Sequence, residues 1–283
     1  MGGAQSPNAK SWMIEIQSGG NRTPVFFASD VGGTIFYARR LARQLGPDRP
    51  AYAFPIDGSS LKQSSPNQLE ALAARYVDEL LRLPFTGPYC LAGYSFGGYL
   101  VYEMAQQLHS KGYQIGLLAL FDTRTDVGKP RFALIFSSKP VDFLVNLPFW
   151  IIFSSRRDIL IGLNWLRSIF DRSYNFSVKL GKDRDRLPRH VREGGLAFYE
   201  VLKRYDLKVY PGKVALFRAR AQPLFGLHQR DLNWRRFVSG PIEVNIISGD
   251  HRTIMNEPYV RKLANLLKSS LERVDKSQSG GAE

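Results

Sequence analysis

Short apolar segments alternate with longer amphipathic segments along most of this chain. Runs such as 24–28 and 116–121 are apolar throughout, which is typical of strands covered on both faces of a parallel sheet. The predicted elements are strands at 12–17, 25–29, 51–56, 89–94, 116–121, 213–218 and 243–248, and helices at 35–45, 67–83, 97–110 and 257–272. The alternation predicts an α/β fold with a mostly parallel sheet flanked by helices.

A serine between two glycines follows the apolar run 89–92 and precedes an apolar-faced helix at 99–109. A Gly-x-Ser-x-Gly motif between a strand and a helix is typical of the nucleophile elbow of an α/β-hydrolase. The tight turn leaves no room for side chains at Gly93 and Gly97 and holds Ser95 in a strained conformation. The alternative is a glycine-rich turn whose serine only caps the helix.

A serine nucleophile needs a base, and the chain has four histidines. His251 follows the alternating strand at 242–247 and a short turn, so it lies at the sheet edge where α/β folds present catalytic groups. His109 falls near the end of a helix, His190 in an arginine-rich segment and His228 in a polar stretch. Position and chain order favour His251 as the base.

The acid is expected at the end of another strand. Asp122 directly follows the apolar run 116–121, and one helix and one strand separate it from Ser95. The next strand, at 214–217, runs into 218–222, which contains no carboxylate. Asp122 is therefore the candidate acid. Asp250 is an alternative, but it directly precedes His251, and we interpret it as a turn residue.

Ser95, Asp122 and His251 occur in the chain order of the α/β-hydrolase triad. In that arrangement the histidine takes the serine proton and the aspartate fixes the imidazole tautomer. An oxyanion hole would use the N–H of Phe96, the residue after the nucleophile, and an N–H from the loop after the early strand. Val31 is the candidate in that loop, although Gly32 and Gly33 beside it would also suit a plain turn.

These motifs resemble the thioesterase domains of nonribosomal peptide and polyketide assembly lines, with fatty-acid-synthase thioesterases as relatives. The resemblance is carried by Pro24 to Phe27, Gly32-Gly33, Gly87-Pro88-Tyr89, Gly93 to Gly98, Glu103-Met104-Ala105, Leu120-Phe121-Asp122, Trp234 and Gly249-Asp250-His251. An acid after the strand that follows the elbow is characteristic of this family. The chain departs from it at Ser29-Asp30, where the family commonly has His-Pro, and shows no match from about 128 to 204.

The resemblance implies an α/β-hydrolase fold with a helical lid insertion at about 128–205. It implies a thioesterase that releases an acyl, polyketide or peptidyl chain from the phosphopantetheine of a carrier protein, by hydrolysis or macrocyclisation. The alternatives are a free-standing editing thioesterase and a non-catalytic protein that binds acyl groups or carriers. The apolar runs inside 128–205 would otherwise pack on the core or lie on a membrane surface, and each is too short to span a bilayer.

Composition narrows the cellular setting. A chain of 283 residues with 44% hydrophobic content predicts one domain at 11–273, with flexible tails at 1–10 and 274–283. The lone Cys90 excludes an internal disulfide and is typical of a reducing compartment, and the first residues lack a secretory signal pattern, so we expect a cytoplasmic protein.

The net charge of +14 favours an anionic partner, and the resemblance makes that partner an acidic acyl or peptidyl carrier protein. No nucleic-acid-reading motif accompanies the charge, so we expect no nucleic acid partner. We expect no bound cofactor and no metal, and contact with a membrane is not favoured.

Overall fold

The computed structural model describes residues 12–56, 67–125, 146–148, 152, 198, 200–222 and 229–279. Its strands are β1 (Ile14–Gln17), β2 (Val25–Ala28), β3 (Ala51–Phe54), β4 (Tyr89–Tyr94), β5 (Ile115–Phe121), β6 (Val214–Ala219) and β7 (Ile242–Ile247). Its helices are α1 (Phe36–Leu45), α2 (Gln68–Leu80), α3 (Phe96–Ser110) and α4 (Tyr259–Ser279), with a 3₁₀ turn at Trp234–Arg236. All of the predicted elements are present, and the 3₁₀ turn was not predicted.

The seven strands form one sheet in the order β1-β3-β2-β4-β5-β6-β7. Every neighbouring pair is parallel except β1 with β3, which is antiparallel. The mostly parallel sheet confirms the predicted fold class. Strands β4, β5 and β6 are consecutive neighbours, so their carboxyl ends meet at one place along the sheet edge.

Helices cover both faces of the sheet because both faces are apolar. Helices α1 and α4 pack on one face, where Phe27 and Phe121 of the sheet and Leu41 of α1 belong to one buried apolar cluster. Helices α2 and α3 pack on the other face, with side chains such as Leu100 at its centre. All four residues of β2 are fully buried, as expected for a strand covered on both sides.

The carboxyl-terminal boundary differs from the prediction. Helix α4 continues to Ser279, although the sequence pattern predicted that it ends at 272 and that a tail begins at 274. Val274 is buried, and the Asp275 carboxylate forms an ion pair of 2.6 Å with the fully buried Arg49. The helix therefore continues past its predicted end, and Asp275 in this extension provides the counter-charge for a buried arginine.

The predicted lid at 128–205 falls mostly outside the described residues, as do the predicted tail at 1–10 and the last residues of the chain. The structure describes the final part of the predicted lid, which packs on the core. Residues 200–204 are helical, and Phe198 and Val201 are buried. The Tyr205 hydroxyl donates a hydrogen bond of 2.7 Å to the buried Glu103 of α3. This end of the segment is thus held against α3.

None of the helices within the described ranges is long and apolar enough to cross a membrane.

Candidate active site

Ser95 and Asp122 lie at the ends of neighbouring strands, as the chain spacing predicted. Strand β4 pairs with β5, and the Ser95 N–H donates to the Phe121 carbonyl at 3.1 Å. Strand β5 pairs with β6, and the Asp122 N–H donates to the Phe217 carbonyl at 2.8 Å. Main-chain hydrogen bonds between adjacent strands therefore fix the separation of the two residues.

The turn that carries Ser95 is as tight as the glycine pattern predicted. Ser95 has φ 55° and ψ −115°, a backbone conformation that a non-glycine residue rarely adopts. A Cβ at Gly93 would lie 2.1 Å from the Gly97 carbonyl oxygen, and a Cβ at Gly97 would lie 2.4 Å from that of Ser29. Only glycine fits at these two positions, because strand, helix and the loop after β2 meet there.

His251 joins the other two candidate residues. Its Nδ1 lies 2.8 Å from Asp122 Oδ2, and its Nε2 lies 3.1 Å from Ser95 Oγ. With the proton on Nδ1, the imidazole donates to the carboxylate and its Nε2 accepts from the serine hydroxyl. The structure thus brings Ser95, His251 and Asp122 into one hydrogen-bonded line.

The Asp122 carboxylate is buried and fully engaged. Its Oδ1 accepts the Ala219 N–H at 2.8 Å and the Gln222 side-chain amide at 3.0 Å, while Oδ2 faces His251. Burial raises the pKa of Asp122, but the hydrogen bonds from His251, Ala219 and Gln222 outweigh it and hold the pKa below its ordinary value. The side chain is therefore an anion that can stabilise a cationic imidazole.

Tyr94 holds the histidine from a second side, which sequence reasoning missed. Its ring stacks on that of His251, with centroids 5.0 Å apart and planes at 30°, and its hydroxyl donates to the His251 carbonyl. Burial raises the pKa of Tyr94 well above its ordinary range, and the Asp122 charge raises it further, so the phenol stays a donor. The only sequence signal was an aromatic residue directly before the candidate nucleophile.

The remaining histidines and Asp250 lie elsewhere. Asp250 accepts from the backbone of Arg252 and from Thr253 within its own turn, as expected for a turn residue. His109 lies near the end of α3 against Tyr210. His190 and His228 are outside the described residues.

The loop after β2 reaches the start of α3, where the oxyanion hole was predicted. Phe96 begins α3, and the first N–H groups of a helix have no acceptor within it. Among the described residues, none accepts a hydrogen bond from the Val31 N–H. The carboxylate of Asp30, one of the two residues at which the chain departs from the family pattern, accepts from the Gly32 N–H and from Thr34. It is therefore engaged by its own turn.

Trp234 supports the segment that follows Asp122. The fully buried indole donates to the Thr123 carbonyl at 2.7 Å, and the Thr123 hydroxyl donates to the Ser95 carbonyl at 3.2 Å. The sequence marked Trp234 as part of the family resemblance without a role. In the structure it connects the chain after the acid to the turn that holds the serine.

No group of three or more histidine, cysteine or acidic side chains suited to a metal ion occurs within the described part of the chain. Cys90 is fully buried in β4, and burial raises the pKa of its thiol to about 12.

Comparison with known proteins confirms the resemblance. Residues 23–131 match the family model of the thioesterase domain. A dimodular nonribosomal peptide synthase from Bacillus subtilis (strain 168) is 23% identical to this chain, in an alignment that covers 98% of this chain and 11% of the synthase. An atromentin synthetase from Tapinella panuoides is 22% identical to this chain, in an alignment that covers 94% of this chain and 29% of the synthetase. The chain thus spans less than a third of either relative.

Solved structures confirm the α/β-hydrolase fold. A four-domain nonribosomal peptide synthetase bound to AMP and glycine aligns over 92% of this chain and 20% of its own, with a TM-score of 0.64 and 23% identity. The NocB thioesterase domain in covalent complex with a fluorophosphonate nocardicin G analogue aligns over 92% of this chain and 99% of its own, with a TM-score of 0.59 and 20% identity. The fold of this chain is that of thioesterase domains.

Proposed function

We propose that this chain cleaves the thioester that joins an acyl, polyketide or peptidyl chain to the phosphopantetheine arm of a carrier protein. The observation that carries the proposal is the hydrogen-bonded line from Ser95 through His251 to the buried Asp122. The match of residues 23–131 to the thioesterase domain supports the choice of a thioester as substrate.

The first half-reaction forms an acyl-Ser95 ester. Ser95 Oγ attacks the thioester carbon while His251 Nε2 takes the hydroxyl proton, and Asp122 stabilises the resulting imidazolium. The N–H groups of Val31 and Phe96 hold the oxyanion that develops on the carbonyl oxygen. When the carbon–sulfur bond breaks, His251 returns the proton to the leaving thiol.

The second half-reaction releases the acyl group. Water, or an amine or hydroxyl of the acyl chain itself, attacks the ester carbon and gives its proton to His251, which passes it to Ser95 Oγ. Water gives hydrolysis, and an internal nucleophile gives macrocyclisation. The chain itself needs no bound cofactor for either route, because the phosphopantetheine arrives with the substrate.

We further propose that the carrier protein is acidic, because the chain carries a net charge of +14. The folded residues are proposed to form one domain, with the segment at about 128–205 as a lid. A cytoplasmic location stays a prediction from the single cysteine.

Covalent labelling tests the nucleophile. An active-site-directed fluorophosphonate should add one label, which peptide mass mapping locates on Ser95. Ser95→Ala should abolish the label and lower thioester turnover by at least ~10³-fold, the scale seen when a member of a triad is removed. Ser110→Ala, which removes an exposed hydroxyl at the end of α3, should change neither result. Labelling of wild type at another residue would contradict the proposal.

A further inference from the structure

Arg218 in β6 is a buried cation without a hydrogen-bonded partner among the described residues. The residue is 8% exposed, and its buried Nε donates to no acceptor. No hydrogen bond or ion pair joins its guanidinium to the residues that the structure describes. Burial lowers the pKa of Arg218, yet a guanidinium remains charged in proteins. A largely buried cation without an ion pair is unfavourable in general, so the residue requires an explanation.

The position of Arg218 places it beside the candidate active site. Its two chain neighbours both bind Asp122, since Phe217 accepts the Asp122 N–H and Ala219 donates to the carboxylate. Phe217 and Ala219 pack on the face covered by α1 and α4. Because side chains alternate along a strand, Arg218 faces the other side, where α3 begins at Phe96 directly after Ser95.

Charged groups of both signs act on Arg218. Arg124 and Arg220 are close enough to lower its pKa, while Asp122 and Asp231 act in the opposite direction. Both carboxylates are engaged elsewhere. Asp122 accepts from Ala219, Gln222 and His251, and Asp231 accepts backbone N–H groups from its own turn. An anionic group that reached Arg218 would therefore meet a cation whose buried Nε donates to no acceptor.

We propose that Arg218 binds a carboxylate carried by the acyl chain, so that this chain selects acyl groups that end in, or bear, a carboxylate. The proposal rests on the proposed function, because it assigns a substrate class to the same site. The phosphate of the phosphopantetheine arm shares the anionic chemistry. The phosphate is the less favoured source, because the whole length of the arm separates the phosphate from the thioester. Arg218, in contrast, lies one residue from the groups that bind Asp122.

Two matched thioesters test the selection. The N-acetylcysteamine thioester of adipic acid, with a free terminal carboxylate, is compared with the same compound as its terminal methyl ester. Wild type should prefer the free acid by at least about tenfold in kcat/KM, the scale of a desolvated charge pair. Arg218→Met should lose that preference. Arg220→Met, which removes an equal charge from an exposed side chain on the same strand end, should keep it. Equal turnover of both thioesters by wild type would overturn the proposal.

Stability separates a binding role from a structural one. Arg218→Met should leave the melting temperature unchanged or raise it, since it removes an unpaired buried charge. A lowered melting temperature together with an unchanged preference for the free acid would overturn the proposal. The phosphate of the phosphopantetheine arm is the other possible anion. If that phosphate raises the rate, Arg218→Met abolishes the gain and wild type shows no preference for acyl carboxylates, Arg218 binds the arm and the proposal is wrong.

A binding measurement keeps this proposal distinct from the proposed function. Adipate should raise the melting temperature of wild type relative to sodium chloride at equal ionic strength, and it should not do so for Arg218→Met. If that shift occurs while no thioester is turned over, the carboxylate site stands and the thioesterase proposal fails. If adipate stabilises both proteins equally, the carboxylate site is wrong even where thioesters are cleaved.

Discussion

The ring of Tyr94 lies on the imidazole of His251, and the hydroxyl of the same tyrosine donates to the His251 carbonyl. One side chain thus restrains both the ring plane and the backbone of the candidate base. Because Tyr94 directly precedes Ser95, the residue that fixes the base also belongs to the strand that carries the nucleophile. We therefore expect Tyr94 to act as a positioning residue.

Tyr94→Phe keeps the ring contact and removes the hydroxyl, so kcat should fall by roughly fivefold, as expected from one neutral hydrogen bond. Tyr94→Leu also removes the ring and should lower kcat by about 100-fold, because misplaced catalytic groups are costly. KM should change little in both variants. Tyr113→Phe, at the opposite end of the sheet, serves as the control. A change confined to KM would contradict the positioning role.

Asp122→Asn should preserve folding and lower kcat by ~10³- to 10⁴-fold. The Asn oxygen must accept the Ala219 N–H, which leaves the amide NH₂ facing His251 Nδ1. Nδ1 then becomes an acceptor, and Nε2 carries the proton that faces Ser95. This is the wrong tautomer for a base. Steady-state kinetics with a small thioester measure the effect, with circular dichroism to verify folding.

Asp250→Asn is the matched control, because its remaining oxygen can still accept the turn hydrogen bonds from Arg252 and Thr253. Its kcat should stay within about threefold of wild type, as expected for a change of one hydrogen bond or less. If Asp250→Asn lost most of its kcat while Asp122→Asn stayed active, Asp250 and not Asp122 would be the acid.

Asp275→Asn should lower the free energy of unfolding at pH 7 by about 3 kcal/mol, because the buried Arg49 loses its counter-charge. Partial burial raises the pKa of Asp275, but hydrogen bonds from Arg49 and Thr23 outweigh it and hold the pKa below its ordinary value. The stabilisation is therefore complete above about pH 4 and is lost as the pH falls through the folded-state pKa.

Urea unfolding at several pH values measures that contribution. The difference between wild type and Asp275→Asn should shrink below about pH 4. Glu272→Gln, which removes an exposed carboxylate of the same helix, should lower the free energy of unfolding by less than ~1 kcal/mol. An Asp275→Asn variant as stable as wild type at pH 7 would mean that Arg49 is adequately solvated without its partner.

Salt should weaken the reaction with a carrier-bound substrate. Attraction between an acidic carrier and a chain of net charge +14 acts through exposed charges, which are screened beyond about 10 Å at 0.1 M ionic strength. We expect kcat/KM for an acyl carrier protein to fall as sodium chloride rises from low to physiological concentration. The value for the corresponding N-acetylcysteamine thioester should stay nearly constant. Equal salt dependence of both substrates would exclude steering.

Apolar runs and glycine spacing predicted the parallel sheet, the tight turn at Ser95 and the strand end at Asp122, because each depends on residues that are close in sequence. The end of α4 was not predictable in this way. After Leu271 the helix continues as mostly polar residues with Val274 as the single buried apolar side chain. Within this extension Asp275 pairs with Arg49, which is far away along the chain.

The same distinction applies within the candidate site. The contact between Tyr94 and His251 joins residues 157 positions apart, and no local pattern encodes it. Arg218 occurs in a stretch that the sequence marked only for its lack of a carboxylate. Its burial without a partner became visible only once β6 was placed next to β5.

The pairing of β5 with β6 has a consequence for how such a protein can diversify. Asp122 is held by Ala219 and Gln222, on the far side of the long segment that leaves β5 and returns at β6. The described hydrogen bonds among Ser95, His251 and Asp122, and those from Ala219 and Gln222, are thus made by residues outside that interval. The segment between β5 and β6 can therefore be replaced by the corresponding segment of a related domain. The replacement should alter which acyl chains are accepted, while Ser95 should still react with a small fluorophosphonate.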